Sequence, residues 1–220
     1  MDSHPRATFV QALDDLQAEV VGLASVVPDA MGSAVEALLG ADHDLARAVV
    51  DGHSRLAEAT LRCETRAYGL MARQQPTAGD LRLVTTLVRL THEVERSSKL
   101  VRHVAEFAAR PAAVVQSPRV RGLLARMGDE ARRLYLGAID SYVARDLAGA
   151  EALGVWDDRM DELNRQLLAE LFSSDLGLQT TLELALIGRY IERVADHAVI
   201  IGDRVRYLVT GQLAPPVAHG

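Results

Sequence analysis

Apolar residues recur every three or four positions along nearly the whole chain, and this constrains the fold more than any other feature. The period is that of the α-helix, and no stretch alternates in the manner of a strand. A first helix is predicted from about Pro5 to Leu39, with a kink near Pro28, because proline has no N–H for the helical ladder. The break "GADHD" (40–44) offers a stop and a new cap, and a second helix follows to about Arg73. The proline- and glycine-bearing turn "QQPTAGD" (74–80) leads into a third helix, which runs to about Ala109. After the aperiodic segment "ARPAAVVQSP" (109–118) the scheme repeats, with helices over about 117–145, 147–172 and 176–210 and then a Pro-rich tail, "APPVAHG".

Two sets of three long helices imply an internal duplication. Placing "HEVERSSKLVRHVAE" (92–106) on "RYIERVADHAVIIGD" (189–203) puts Glu95 on Glu192, Arg96 on Arg193 and Glu106 on Asp203. The second helices match through "VVDGHSRLAEAT" (49–60) and "GVWDDRMDELNR" (154–165). The expected architecture is all-α, two tandem three-helix bundles over 1–112 and 113–213, with a flexible tail at 214–220.

Composition excludes several classes of function. The net charge of −6, with no basic run interleaved with aromatics, argues against direct nucleic-acid binding. No uninterrupted apolar stretch reaches the roughly 18 residues that span a bilayer, and "MDSHPRATF" lacks the pattern of a signal peptide. The single cysteine, Cys63, rules out an intrachain disulfide or a cysteine-based zinc site and is expected to pack in the core. A cytoplasmic location is the simplest expectation.

The segment "IERVADHAVIIGD" (191–203) places acids on an otherwise apolar helix. At 100° per residue, Asp196 and Asp203 project at about 40° and 20° from Glu192, so the three share a stripe. The preceding helix carries Asp157 and Asp161 at the same four-residue spacing. If the two helices pack antiparallel, five carboxylates converge, and their repulsion calls for something positive between them. A hard di- or trivalent metal ion is one answer. Pairing with the nearby Arg159, Arg189, Arg193, Arg204 and Arg206 is the other.

"RQQPTAGDLR" (73–82), "YIERVADHAVIIGD" (190–203) and "YLVTGQ" (207–212) resemble the PhoU family of phosphate-signalling proteins. The resemblance extends over almost the whole chain and implies a regulator without catalysis, often dimeric and cytoplasmic. It implies restraint of phosphate uptake and of phosphate-starvation signalling through contacts with the phosphate ABC transporter, at its ATPase subunit, and with a membrane sensor kinase. Peripheral membrane association fits such partners. It also implies metal binding: Glu192 and Asp196 match the family's E-x-x-x-D pair, Asp157 and Asp161 the facing D-x-x-x-D, and Asp203 stands where the family usually has Glu. The carboxylate ligands suit iron, manganese or magnesium, with calcium also open.

Repeat one departs from that pattern. Glu95 and Glu106 remain, but Lys99 stands where an aspartate is expected, and His53 and Ala57 replace the facing acids. Lys99 is the only lysine among 24 basic residues. Its ammonium could occupy the metal position between Glu95 and Glu106, as a compact charge on a flexible stem; the alternative is that it reaches solvent beside a decayed site. His92, His103 and His197 are expected to be packing or surface residues, with His197 facing away from the acidic stripe. Thr77 or Asp80 is expected to cap the third helix, and Trp156 to pack in a core or an interface. Two other readings are a metal-independent adaptor with an acidic face and a carboxylate-bridged di-iron enzyme. The enzyme would need Glu-x-x-His on two helices, and none of the seven histidines has an acid three residues before it.

Overall fold

The computed structural model describes residues 3–73, 76–110, 115 and 117–213. These form six helices: α1 (Ser3–Gly40), α2 (His43–Arg73), α3 (Ala78–Ala108), α4 (Pro118–Ala144), α5 (Leu147–Ser173) and α6 (Leu178–Thr210). Every predicted helix is present, with ends within about two residues of those read from the periodicity, the usual uncertainty of helix termini. Half of the predicted linker and all of the predicted tail fall outside the described residues. α1 continues through Pro28. The carbonyl of Pro28 accepts a hydrogen bond from Arg132 Nε of α4 at 3.0 Å.

The duplication can be read from the backbone. α1 and α4 both end on a left-handed residue at φ 52°, Ala41 and Arg145 respectively. One residue further on, the Asp42 N–H donates to the Ala37 carbonyl and the Asp146 N–H to the Ser141 carbonyl, closing the same C-terminal turn. Counted from these caps, His53 is the counterpart of Asp157 and Ala57 of Asp161. The match of 49–60 with 154–165 is therefore one residue out of register. Few identities span it, whereas the two caps fix it.

Within each bundle the three helices all touch one another, and the bundles join through α1 on α4 and α3 on α6. α2 and α5 lie on the flanks, each touching only its own bundle. The buried side chains form a single hydrophobic core across both repeats, including Leu16, Met31, Leu87, Met127, Leu134 and Leu167. Cys63 is part of it, as expected, and burial pushes its thiol up to about 11. α1 contributes Phe9, Leu13, Leu16, Val20, Val27 and Met31 to this core. It is also the one helix, among the described residues, long and apolar enough to cross a membrane by length and composition.

α3 and α6 run antiparallel along a polar seam. From end to end, Arg82 packs beside Gly211, His197 Nδ1 meets Glu93 Oε2 at 2.7 Å, the rings of His103 and Tyr190 lie 5.2 Å apart, and Arg110 bonds Glu183 at 2.9 Å. The Glu93 and His197 side chains are each only 6% exposed. His197 does turn away from the acidic stripe, and it faces the other repeat.

The turn before α3 has a structural task. Thr77 is the N-cap, and with Asp80 it forms a reciprocal capping box. Asp80 also receives Arg6 Nη1 and Nη2 at 2.6 and 3.0 Å, which ties the start of α1 to the start of α3. The Arg6 guanidinium, aided by Thr77, holds the Asp80 carboxyl down at about 2. Trp156 is not in the core: it is 39% exposed, lying against Gly137 on α4 with the Arg133 guanidinium 4.7 Å from its ring centre.

Candidate metal centre

The acids of repeat two lie between α5 and α6, and two glycines let these helices approach closely. A Cβ on Gly188 would stand 2.5 Å from Leu167 Cδ2, and one on Gly202 only 2.9 Å from the Ala150 carbonyl oxygen. Between these contacts, Asn164 Nδ2 donates to Glu192 Oε2 at 2.8 Å. The order of the three contacts makes α5 and α6 antiparallel and sets Asp157 and Asp161 opposite Asp196 and Glu192.

The electrostatics show that these four acids share one environment. Burial raises the Asp157 carboxyl to about 7, assisted by repulsion from Asp196, Asp161 and Glu192. Asp161 is raised by burial and then by Glu192, and Asp196 by burial with Glu192 and Asp161 adding to it. Two buried oxygens at this site have no hydrogen-bond partner, Asp157 Oδ1 and Asn164 Oδ1. Both accept only, so a water, a proton or a cation would satisfy them.

Asp203 stands apart from the four. It is half-buried and raised by burial, but the charges it feels are those of Arg204 and Arg206. Seven residues separate it from Asp196, about 10 Å along the helix. The shared stripe is an angular coincidence that ignores the rise, so the convergence of five acids reduces to four.

Positive charge is also present. Arg189 Nη1 lies 2.7 Å from Glu192 Oε2, the oxygen that also accepts from Asn164. Glu192, Asp196 and Asp161 all stabilise this guanidinium. Among the described residues, no three acidic, histidine or cysteine side chains stand together in an arrangement that would hold an ion. The chemistry of the donors nevertheless suits a hard metal. The set offers four carboxylates and an amide oxygen, two of its oxygens lack partners among the described residues, and Arg189 is the one cation in an ion pair with it there, with Arg165 acting on Asp161 from further off.

Repeat one is organised differently. His53 Nδ1 lies 2.7 Å from Ser98 Oγ, so Ser98 is the α3 residue that faces α2. Lys99, one position on, is exposed and makes no ion pair among the described residues. It is not seated between Glu95 and Glu106, because its long stem carries the ammonium outward to water. Glu106 meets Arg102 Nε at 3.2 Å and His103 Nδ1 at 3.0 Å instead. Burial, followed by the Arg102 charge, pushes the His53 imidazole down. Glu106 thus has Arg102 and His103 beside it, and the facing positions on α2 carry His53 and Ala57 instead of acids. Asn164 and Arg189 carry weight that the acidic pattern alone did not reveal. Arg189 was within reach of the sequence, three residues before Glu192 on the same face.

The geometry defines a class: an all-α protein of two fused three-helix repeats, with an acidic groove in one of them. The PhoU domain family matches the chain twice, over residues 20–108 and 124–205. The chain is 36% identical over 213 residues to the phosphate-specific transport system accessory protein PhoU homolog 1 of Mycobacterium leprae, covering 94% of each chain. It is 34% identical to PhoU homolog 2 of Mycobacterium tuberculosis, covering 94% of this chain and 98% of that one. Among solved structures, PhoU from Pseudomonas aeruginosa superposes with a TM-score of 0.86 at 25% identity, over 93% of this chain and 100% of that one. The phosphate transport system regulatory protein PhoU from Streptococcus pneumoniae shares the fold at a TM-score of 0.84 and 20% identity, over 94% and 100% of the two chains. The chain belongs to the PhoU family.

Proposed function

We propose that this protein is an accessory regulator of phosphate transport, which restrains phosphate uptake and starvation signalling through protein contacts. Its proposed partners are the ATPase subunit of a phosphate ABC transporter and a membrane sensor kinase, met from the cytoplasm by a homodimer. The reading is carried by the match of both repeats to PhoU proteins over almost the full length of each. Loss of the protein in its own cell should raise phosphate uptake in phosphate-replete medium. Unchanged uptake after the deletion would count against the assignment.

We further propose that Asp157, Asp161, Glu192 and Asp196 hold a di- or trivalent metal ion, with Asn164 supporting Glu192. Iron, manganese and magnesium all suit the oxygen donors. The bound ion would supply concentrated positive charge, fixing α5 against α6; the chain's own residues orient the ligands, as Asn164 does Glu192. Asp203 is left outside this set. The supporting observation is the pair of unpartnered buried oxygens among four carboxylates, of which only Glu192 is held in an ion pair among the described residues. Elemental analysis by mass spectrometry, on protein purified without a His-tag or chelator, should find metal in the wild type. A folded Glu192→Ala/Asp196→Ala variant should lack it.

The Arg189–Glu192 pair favours a second reading, a metal-independent adaptor whose acidic groove takes a basic patch on its partner. In that case partner binding would weaken with salt and survive metal removal.

A further inference from the structure

We infer that Arg189 is a built-in stand-in for the metal: it pairs with Glu192 and offsets part of the repeat-two negative charge when no ion is bound, and is displaced when one enters. This rests on the metal reading above and adds the residue that regulates it. Arg189 is the cation that makes an ion pair with the cluster among the described residues, with Nη1 2.7 Å from Glu192 Oε2 and with Asp196 and Asp161 close enough to stabilise it; Arg165 acts only on Asp161, from further off. Glu192 is only 11% exposed at its side chain, so its charge needs a partner inside the protein. A guanidinium provides one at every accessible pH, since it does not lose its proton in proteins.

The same oxygen explains why ion and arginine compete. Glu192 Oε2 already accepts from both Arg189 and Asn164, and a metal ligated there would stand against the guanidinium charge. Arg189 also has somewhere to go. Its side chain is 53% exposed, so it can swing into water without disturbing the core. Occupancy of the groove is thereby linked to a free positive charge on the surface of α6. In repeat one the facing positions on α2 carry His53 and Ala57 instead of acids, so no comparable cluster of negative charge is there to exchange.

The test is Mn²⁺ titration of the full-length protein, with free Mn²⁺ followed by electron paramagnetic resonance. Wild type, Arg189→Gln and Glu192→Ala/Asp196→Ala are compared. Arg189→Gln should bind Mn²⁺ about tenfold more tightly than wild type, within the usual range of coupling between sites. Thermal unfolding gives an independent readout. Without metal, Arg189→Gln should melt below wild type, because its carboxylates lack their counter-charge; with Mn²⁺ bound, the two should melt together. An ordinary surface ion pair would shift both forms equally, and that result overturns the inference. So does unchanged or weaker Mn²⁺ binding by a folded Arg189→Gln while the wild type binds. Absence of Mn²⁺ binding by the wild type itself would overturn the metal reading, and this inference with it.

Discussion

Asp157 has a carboxyl held at about 7 by burial and by four neighbouring acids. In the unfolded chain it titrates near 4. The folded, metal-free protein therefore binds more protons than the unfolded chain between these values, and the Asp157 contribution is fully present below about pH 4 and lost as pH rises through 7. The melting temperature of metal-free protein should thus fall between pH 5.5 and 8, and Asp157→Asn should flatten that fall. Metal binding reverses the direction, because ligated carboxylates must be deprotonated. That Asp157, Asp161, Glu192 and Asp196 come to share one environment was legible in the sequence through their four-residue spacing. Asp203 was misread for a geometrical reason: angle around a helix can be read from spacing, but two acids at one angle still lie apart along the axis.

The elements were the most legible level, because each helix carries its buried face in its own periodicity. Thr77 and Asp80 were readable as a cap for the same local reason, and their contribution is measurable. Thr77→Ala should cost about 1 kcal/mol in chemical denaturation, the usual loss for an N-cap. The depressed Asp80 carboxyl adds an acid dependence of opposite sign to that of Asp157. Its stabilising effect is present above about pH 4 and lost as pH falls towards 2, so Asp80→Asn should weaken the protein at neutral pH and little at pH 2. Contacts between bundles left no such signal. Nothing in a single helix says that Glu93 will meet His197 on a helix 104 residues away. Glu93→Ala should destabilise the protein by about 2 kcal/mol, leaving a buried imidazole short of its partner. Replacing both residues with apolar ones should recover most of that loss.

Across the whole molecule, the two repeats share a backbone plan and differ in chemistry. The matched caps at Ala41 and Arg145 put His53 where Asp157 stands and Ala57 where Asp161 stands, and Lys99 answers to Asp196. If the backbone supplies the geometry of the acidic groove, His53→Asp/Ala57→Asp/Lys99→Asp should give repeat one a site of its own. Elemental analysis would then show metal per chain rising from the wild-type value towards twice that value. An unchanged ratio in the folded triple variant would mean that the glycines between α5 and α6 contribute as much as the acids do.

The duplication also makes the chain its own control. A solvent, temperature or crowding effect on helical packing acts on both halves, whereas an effect that passes through the acidic groove acts on one. Isotope labels placed at Glu95 and at Glu192 would report the difference within a single sample, free of the preparation-to-preparation scatter that separates a mutant from its parent.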